Sequence, residues 1–93
     1  MHIGTALITL SLAEGFSLKD KRQVVKSLIE TARHKFNAAV SEVGSLDAWR
    51  RAEVGVAVVS NDSAHCNSML DKIVDYFESD PRVEVSEVEI TVD

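Results

Sequence analysis

HIGTALITLSL (residues 2–12) is followed four residues later by SLKDKRQVVKSLIETARHKF (residues 17–36), and between these stretches the hydrophobic period changes. In the first, Ala6, Ile8, Leu10 and Leu12 alternate with Thr5, Leu7, Thr9 and Ser11. A period of two is that of a half-buried strand. In the second, Leu18, Val25, Leu28, Ile29, Ala32 and Phe36 recur at helical spacing. Ser17 is placed to cap that helix, with Asp20 three residues on completing a variant capping box. Ala13-Glu14-Gly15-Phe16 is the turn between them.

The same alternation of elements continues downstream. Residues 37–43 read as a weaker second strand, Gly44-Ser45-Leu46-Asp47 as a turn, and residues 52–60 as a third strand with Val54, Val56 and Val58 on one face. Asn61-Asp62-Ser63 opens a second helix that runs to about Ser79, with Cys66, Met69, Leu70, Ile73 and Phe77 as its apolar stripe. Asp80-Pro81 ends it, because proline disfavours helix at the residue before it. Residues 82–92 form the last strand. Val83 and Val85 share one parity and Val88, Ile90 and Val92 the other, so a bulge near Ser86-Glu87 is expected. The order βαββαβ implies an α+β, ferredoxin-like domain spanning residues 1–93, with two helices on one face of a four-stranded antiparallel sheet.

At 93 residues there is room for one core. No apolar run approaches the roughly 18–20 residues that span a bilayer, so no membrane partner is expected. The N-terminus lacks a basic region and a small-residue cleavage site. A single cysteine forms no internal disulfide. These features read as cytoplasmic. Net charge is −5 but uneven. Residues 1–51 hold eight Lys/Arg against five Asp/Glu, whereas residues 52–93 hold two against ten. Such asymmetry points either to a partner surface or to mutual attraction of the two halves.

The basic residues concentrate on the first helix. At about 100° per residue, Lys19, Arg22, Lys26 and Arg33 form one stripe beside the apolar face, with Lys21 and Lys35 assigned to the opposite flank. Cations in a first helical turn oppose the helix dipole. One reading is a phosphate-contacting surface formed by Lys19, Lys21, Arg22, Lys26 and Arg33, with Arg50 and Arg51 secondary if the hairpin lies nearby. The other is a solvated or ion-paired flank, the commoner use of such residues. Trp49, next to Arg50, is read as packing onto the core or a partner subunit, with base stacking the alternative. Ile3 and Leu7 lie on the strand face turned away from the helices, so Ile3, Leu7 and Trp49 are the expected contacts of a homodimer.

Catalytic groupings do not emerge. His2, His34 and His65 are scattered, and no HxH, HExxH or CxxC spacing exists, so no metal or other cofactor is expected. His65 and Cys66 diverge as helix neighbours, and Cys66 reads as a small core residue. Asp71, Asp75 and Glu78 share a solvated helix face. The first and third strands carry no aromatics of the RNA-recognition-motif kind. The turn at Glu14-Gly15-Phe16 is no phosphate loop. A regulatory module that binds a small ligand at a subunit interface stays open. The expectation is a protein that is not an enzyme.

Three blocks taken together resemble one family: Ser17-Leu18-Lys19-Asp20-Lys21-Arg22 with Val25-Lys26-Ser27-Leu28; Asp47-Ala48-Trp49-Arg50-Arg51-Ala52; and Gly55-Val56-Ala57-Val58-Val59-Ser60-Asn61-Asp62 with His65. They resemble the YlxP-like family of small bacterial proteins, a domain of unknown function. The resemblance implies a ferredoxin-like fold. Genes of that family tend to lie near translation-initiation and ribosome-maturation genes, which implies work near RNA or the ribosome. Together with the basic stripe, this gives the expected function: an accessory protein that contacts RNA or a ribosomal surface. The alternative is a homodimeric ligand-sensing or protein-interaction scaffold.

Overall fold

The computed structural model describes residues 1–93. Its elements are β1 (His2–Leu12), α1 (Leu18–Lys35), β2 (Ala39–Gly44), β3 (Arg51–Ser60), α2 (Ser63–Glu78) and β4 (Val83–Val92). The strands form one antiparallel sheet in the order β2-β3-β1-β4. This is the ferredoxin-like α+β arrangement expected from the element order.

Both helices bury their apolar stripes on the same sheet face. Ala6, Ile8, Leu10 and Leu12 of β1 and Val54, Val56 and Val58 of β3 meet Val25, Leu28, Ile29 and Ala32 of α1 and Leu70, Ile73 and Phe77 of α2 in one core. Phe77 is fully enclosed, and burying such a side chain contributes about 2–3 kcal/mol. Gly4 lets α2 settle close to the sheet. A Cβ there would stand 3.0 Å from Leu70 Cδ1 and 3.2 Å from the Cys66 Cβ. Cys66 is buried, as its place on the stripe implied. Its Sγ lies 3.9 Å from the carbonyl oxygen of His2.

Two bulges set which residues face outward. Thr9 pairs with Glu87 and Leu10 with Val85, leaving Ser86 as the extra residue of β4. Its hydroxyl donates to the Thr9 carbonyl at 3.2 Å. This accounts for the parity switch in the sequence. In β2, Glu42 pairs with Val54 and Gly44 with Glu53, so Val43 is the extra residue. Val43 then lies against Gly55 on the open face, where a Cβ on Gly55 would come within 2.9 Å of Val43 Cγ1.

β2 begins at Ala39 rather than at residue 37. Phe36 caps α1 in an extended conformation, and the Ala38 N–H donates to the Phe36 carbonyl at 3.0 Å. Residues 36–38 are thus spent turning the chain from helix axis to sheet.

Candidate nucleic-acid interface

Lys21 departs most from its expected place. The helical spacing puts it on the flank opposite the basic stripe, as an expected phosphate contact, yet its side chain is fully buried. Its Nζ donates to Glu42 Oε2 at 2.7 Å, to the Ser45 carbonyl at 3.0 Å and to the Leu46 carbonyl at 3.3 Å. No donor is left to offer a phosphate, so Lys21 leaves the contact set. The signal was present in the sequence. Val24, Val25 and Leu28 stand three, four and seven residues after Lys21, which puts it in the middle of the buried face. Glu42 has the same parity as buried Val40, making it the inward carboxylate of β2. A buried ammonium needs such a partner together with further acceptors.

Through Lys21, the loop 45–50 is tied to the N-terminal half of α1. Ser45 adopts φ 57, a left-handed turn conformation that aims its carbonyl at Lys21. Arg22 adds a second link to Asp47 at 3.3 Å, between two exposed side chains. Arg50 reaches back to Glu14 at 3.3 Å. The condition on which Arg50 depended, a hairpin near the first helix, is therefore met. Lys19, Arg22, Trp49 and Arg50 share one end of the molecule.

Trp49 is 59% exposed and does not pack into the core of its own chain. The loop is held by polar links through Lys21 and Arg22, so the indole is not needed as its anchor. Trp49 and Arg50, with Glu14, Gly15, Phe16 and Ser17, line a shallow groove of about 400 Å³. Beside the groove, the capping box closes the start of α1. The Ser17 N–H donates to Asp20 Oδ2 and the Asp20 N–H to Ser17 Oγ, each at 3.1 Å. The Ser17 backbone N–H first, and its side chain next, hold the Asp20 carboxyl below the ordinary carboxylate range.

The remaining basic residues are spread out. Lys26 lies 4.0 Å from Glu30 on α1. Arg33 sits about 20 Å along the helix from Lys19, where its Nε donates to the Val40 carbonyl at 2.9 Å. Arg51 is on the open sheet face beside Glu53 at 3.5 Å. The three expected dimer contacts also divide. Ile3 pairs with Val59 near one end of β1, whereas Ser11 pairs with Arg51 at the end that adjoins the loop. Ile3 and Trp49 are therefore separated by most of the strand and form no common patch. Ile3, half-buried Leu7, Val43 and Val59 do share the open face.

The loop end carries two guanidinium groups and one ammonium together with an exposed indole, and Arg50 lines one groove with that indole. These groups can neutralise phosphates and stack on a planar ring. The ion pairs of Arg22 and Arg50 are solvent-exposed and individually weak, so a phosphate can replace the carboxylate.

The family model described as a protein of unknown function (DUF503) matches residues 3–90, a span that contains every basic residue named above. The uncharacterized protein YlxP of Bacillus subtilis (strain 168) is 33% identical over 82 residues, covering 88% of this chain and 89% of that protein.

Proposed function

This chain belongs to the DUF503 family, and from that premise we propose that it is a non-catalytic accessory protein that contacts structured RNA, or an RNA–protein surface such as the ribosome, through the α1–loop end. The observation that carries the reading is the Lys21 tether. It holds the loop so that Trp49 and Arg50 stand with Lys19 and Arg22 on one exposed surface. Lys26 extends the phosphate track along α1. Glu87 and Glu89 lie on β4 at the far edge of the sheet, where they limit indiscriminate binding of polyanions.

Phosphate contacts fix position rather than sequence, so binding is weakly sequence-specific and strongly salt-dependent. The test is a titration of a fluorescent RNA hairpin and of purified ribosomal subunits at several salt concentrations. The triple variant K19Q/R22Q/K26Q is expected to bind more weakly, with a salt slope flatter by about one unit per lost contact. Its circular dichroism should match the parent. A folded triple variant with unchanged RNA affinity rejects the assignment.

A second reading is supported by the open sheet face. Ile3, Val43 and Val59 are 42%, 56% and 60% exposed there, and Gly55 and Ala57 keep its centre low. A homodimer through that face would make the molecule a scaffold or a sensor with its ligand at the interface. A ligand that binds only the native state raises the melting temperature. A thermal-shift screen therefore separates sensor from scaffold.

A further inference from the structure

β4 is an edge strand of ten residues with β1 as its only neighbour. Natural edges are blunted by charged side chains, prolines, bulges, shortness or cover. From Glu87 to Val92 this edge has no proline and no bulge, its pairing with β1 is regular, and its charges, Glu87 and Glu89, are all of one sign. The Asp93 N–H donates to the Ile3 carbonyl at 2.9 Å. By the alternation of an antiparallel ladder, Thr91, Glu89 and Glu87 then turn their backbone groups toward β1. Val88, Ile90 and Val92 turn their N–H and C=O groups outward.

The two sides of this edge differ in chemistry. Glu87 and Glu89 pair with Thr9 and Leu7 and so point to the open face. Val88 and Ile90 pair with Ile8 and Ala6 and point to the helix side, yet remain 36% and 38% exposed, whereas Ile8 and Ala6 are buried. Residues opposite each other in adjacent strands share a face. A strand added here would meet carboxylates on one face and unfinished hydrophobic core on the other.

We propose that β4 is a docking edge for an extended segment of a partner protein in which Lys or Arg alternates with aliphatic residues. The aliphatic residues lie opposite Val88 and Ile90, exchange backbone hydrogen bonds with them and complete the core margin. The cations lie opposite Glu87 and Glu89. This is β-strand addition, with affinity from the main chain and selectivity from the alternating side chains. A second copy is not the occupant. Twofold antiparallel pairing of β4 with itself keeps both helix layers on one side, and in its central registers it sets glutamate against glutamate. None of the chain's strands alternates basic and aliphatic residues. The edge is independent of the α1–loop end, so either assignment can fail without the other.

The probe is a blocked synthetic peptide of about seven residues, a typical strand length, alternating lysine and valine. Its controls are a scramble of the same composition and a version N-methylated on the valines. The alternating peptide is expected to slow amide exchange at Val88 and Ile90. The controls should bind at least about tenfold more weakly, since the scramble loses the face match and N-methylation loses the ladder. The E87K/E89K variant should lose the peptide and gain its glutamate–valine counterpart. Equal binding of the scramble or the N-methylated peptide would show attraction by charge alone and overturn the proposal. Protection confined to other amides would overturn it too, as would no saturation at about millimolar peptide.

Discussion

Lys21 shows how one side chain can be structural in a stretch that reads as a basic surface. Its Nζ has one carboxylate and two carbonyl acceptors, and its side chain is wholly enclosed. Removing one member of such a pair strands the other. Lys21→Met is therefore expected to cost about 3 kcal/mol in urea unfolding, near the low end for a buried pair because Glu42 keeps some solvent contact. The double variant K21M/E42L should recover much of that loss, since well-packed apolar replacements of a buried pair are often neutral. A single-variant loss below about 0.5 kcal/mol, the range of ordinary surface substitutions, would show that the pair does not hold the loop. The mobility of Trp49, read by fluorescence anisotropy, should rise in Lys21→Met if the tether positions it.

At the scale of the element, the bulge in β4 reconciles two hydrophobic parities in one strand. Without Ser86 the sequence reads Val83, Glu84, Val85, Glu87, Val88, Glu89, Ile90, a strict alternation that fits the observed pairing of Leu10 with Val85 and Thr9 with Glu87. Deletion of Ser86 is therefore expected to fold, losing about 1 kcal/mol with the hydrogen bond to the Thr9 carbonyl. Deletion of Glu84 should fail to fold, because it turns buried Val83 outward. Soluble expression and circular dichroism of the two deletions decide this. The ends of the helices carry an acid dependence. Asp20 is held below its ordinary value of 3.8 by the Ser17 N–H and hydroxyl at the start of α1. Asp80, just after α2, is lowered mainly by the hydrogen bond from the Arg82 side chain. Each carboxyl is more acidic folded than unfolded. The stability it contributes is whole above the unfolded pKa and is lost as pH falls through the folded one. Melting temperatures should thus drop below about pH 4. The variant D20N/D80N, less stable at neutral pH, should show a shallower acid limb. An identical limb would refute the assignment.

At the scale of the molecule, the sheet carries helices on one face only. The other face collects Ile3, Leu7, Val43 and Val59 around the small residues Gly55 and Ala57. Exposed apolar residues gathered in this way mark an interaction surface more often than scattered ones do. If a homodimer forms there, sedimentation equilibrium at high micromolar concentration should show it, and Val59→Lys should return it to monomer with the fold intact. A purely monomeric parent would remove the scaffold reading and leave the RNA reading untouched, because the loop end lies elsewhere. Conversely, a triple variant K19Q/R22Q/K26Q that loses dimerisation instead of RNA affinity would assign the basic flank to assembly.

The amino-acid sequence alone determined the order of the elements, the inward parity of β1 and β3, both helix caps and the displaced parity of β4. These depend on residues close in the chain, where a period of two or of 3.6 and a capping side chain act locally. The helical spacing already put Lys21 on the buried face, but only the tertiary structure decided which partner it meets there and which other basic residues are brought together. Lys21 and Glu42 meet because α1 lies over β2. Trp49 and Ile3 part because β1 runs the length of the sheet between them. Whether a lysine meets water or a carboxylate 21 residues away depends on how helix and strand are stacked, and on the cost of burying an ammonium without a partner.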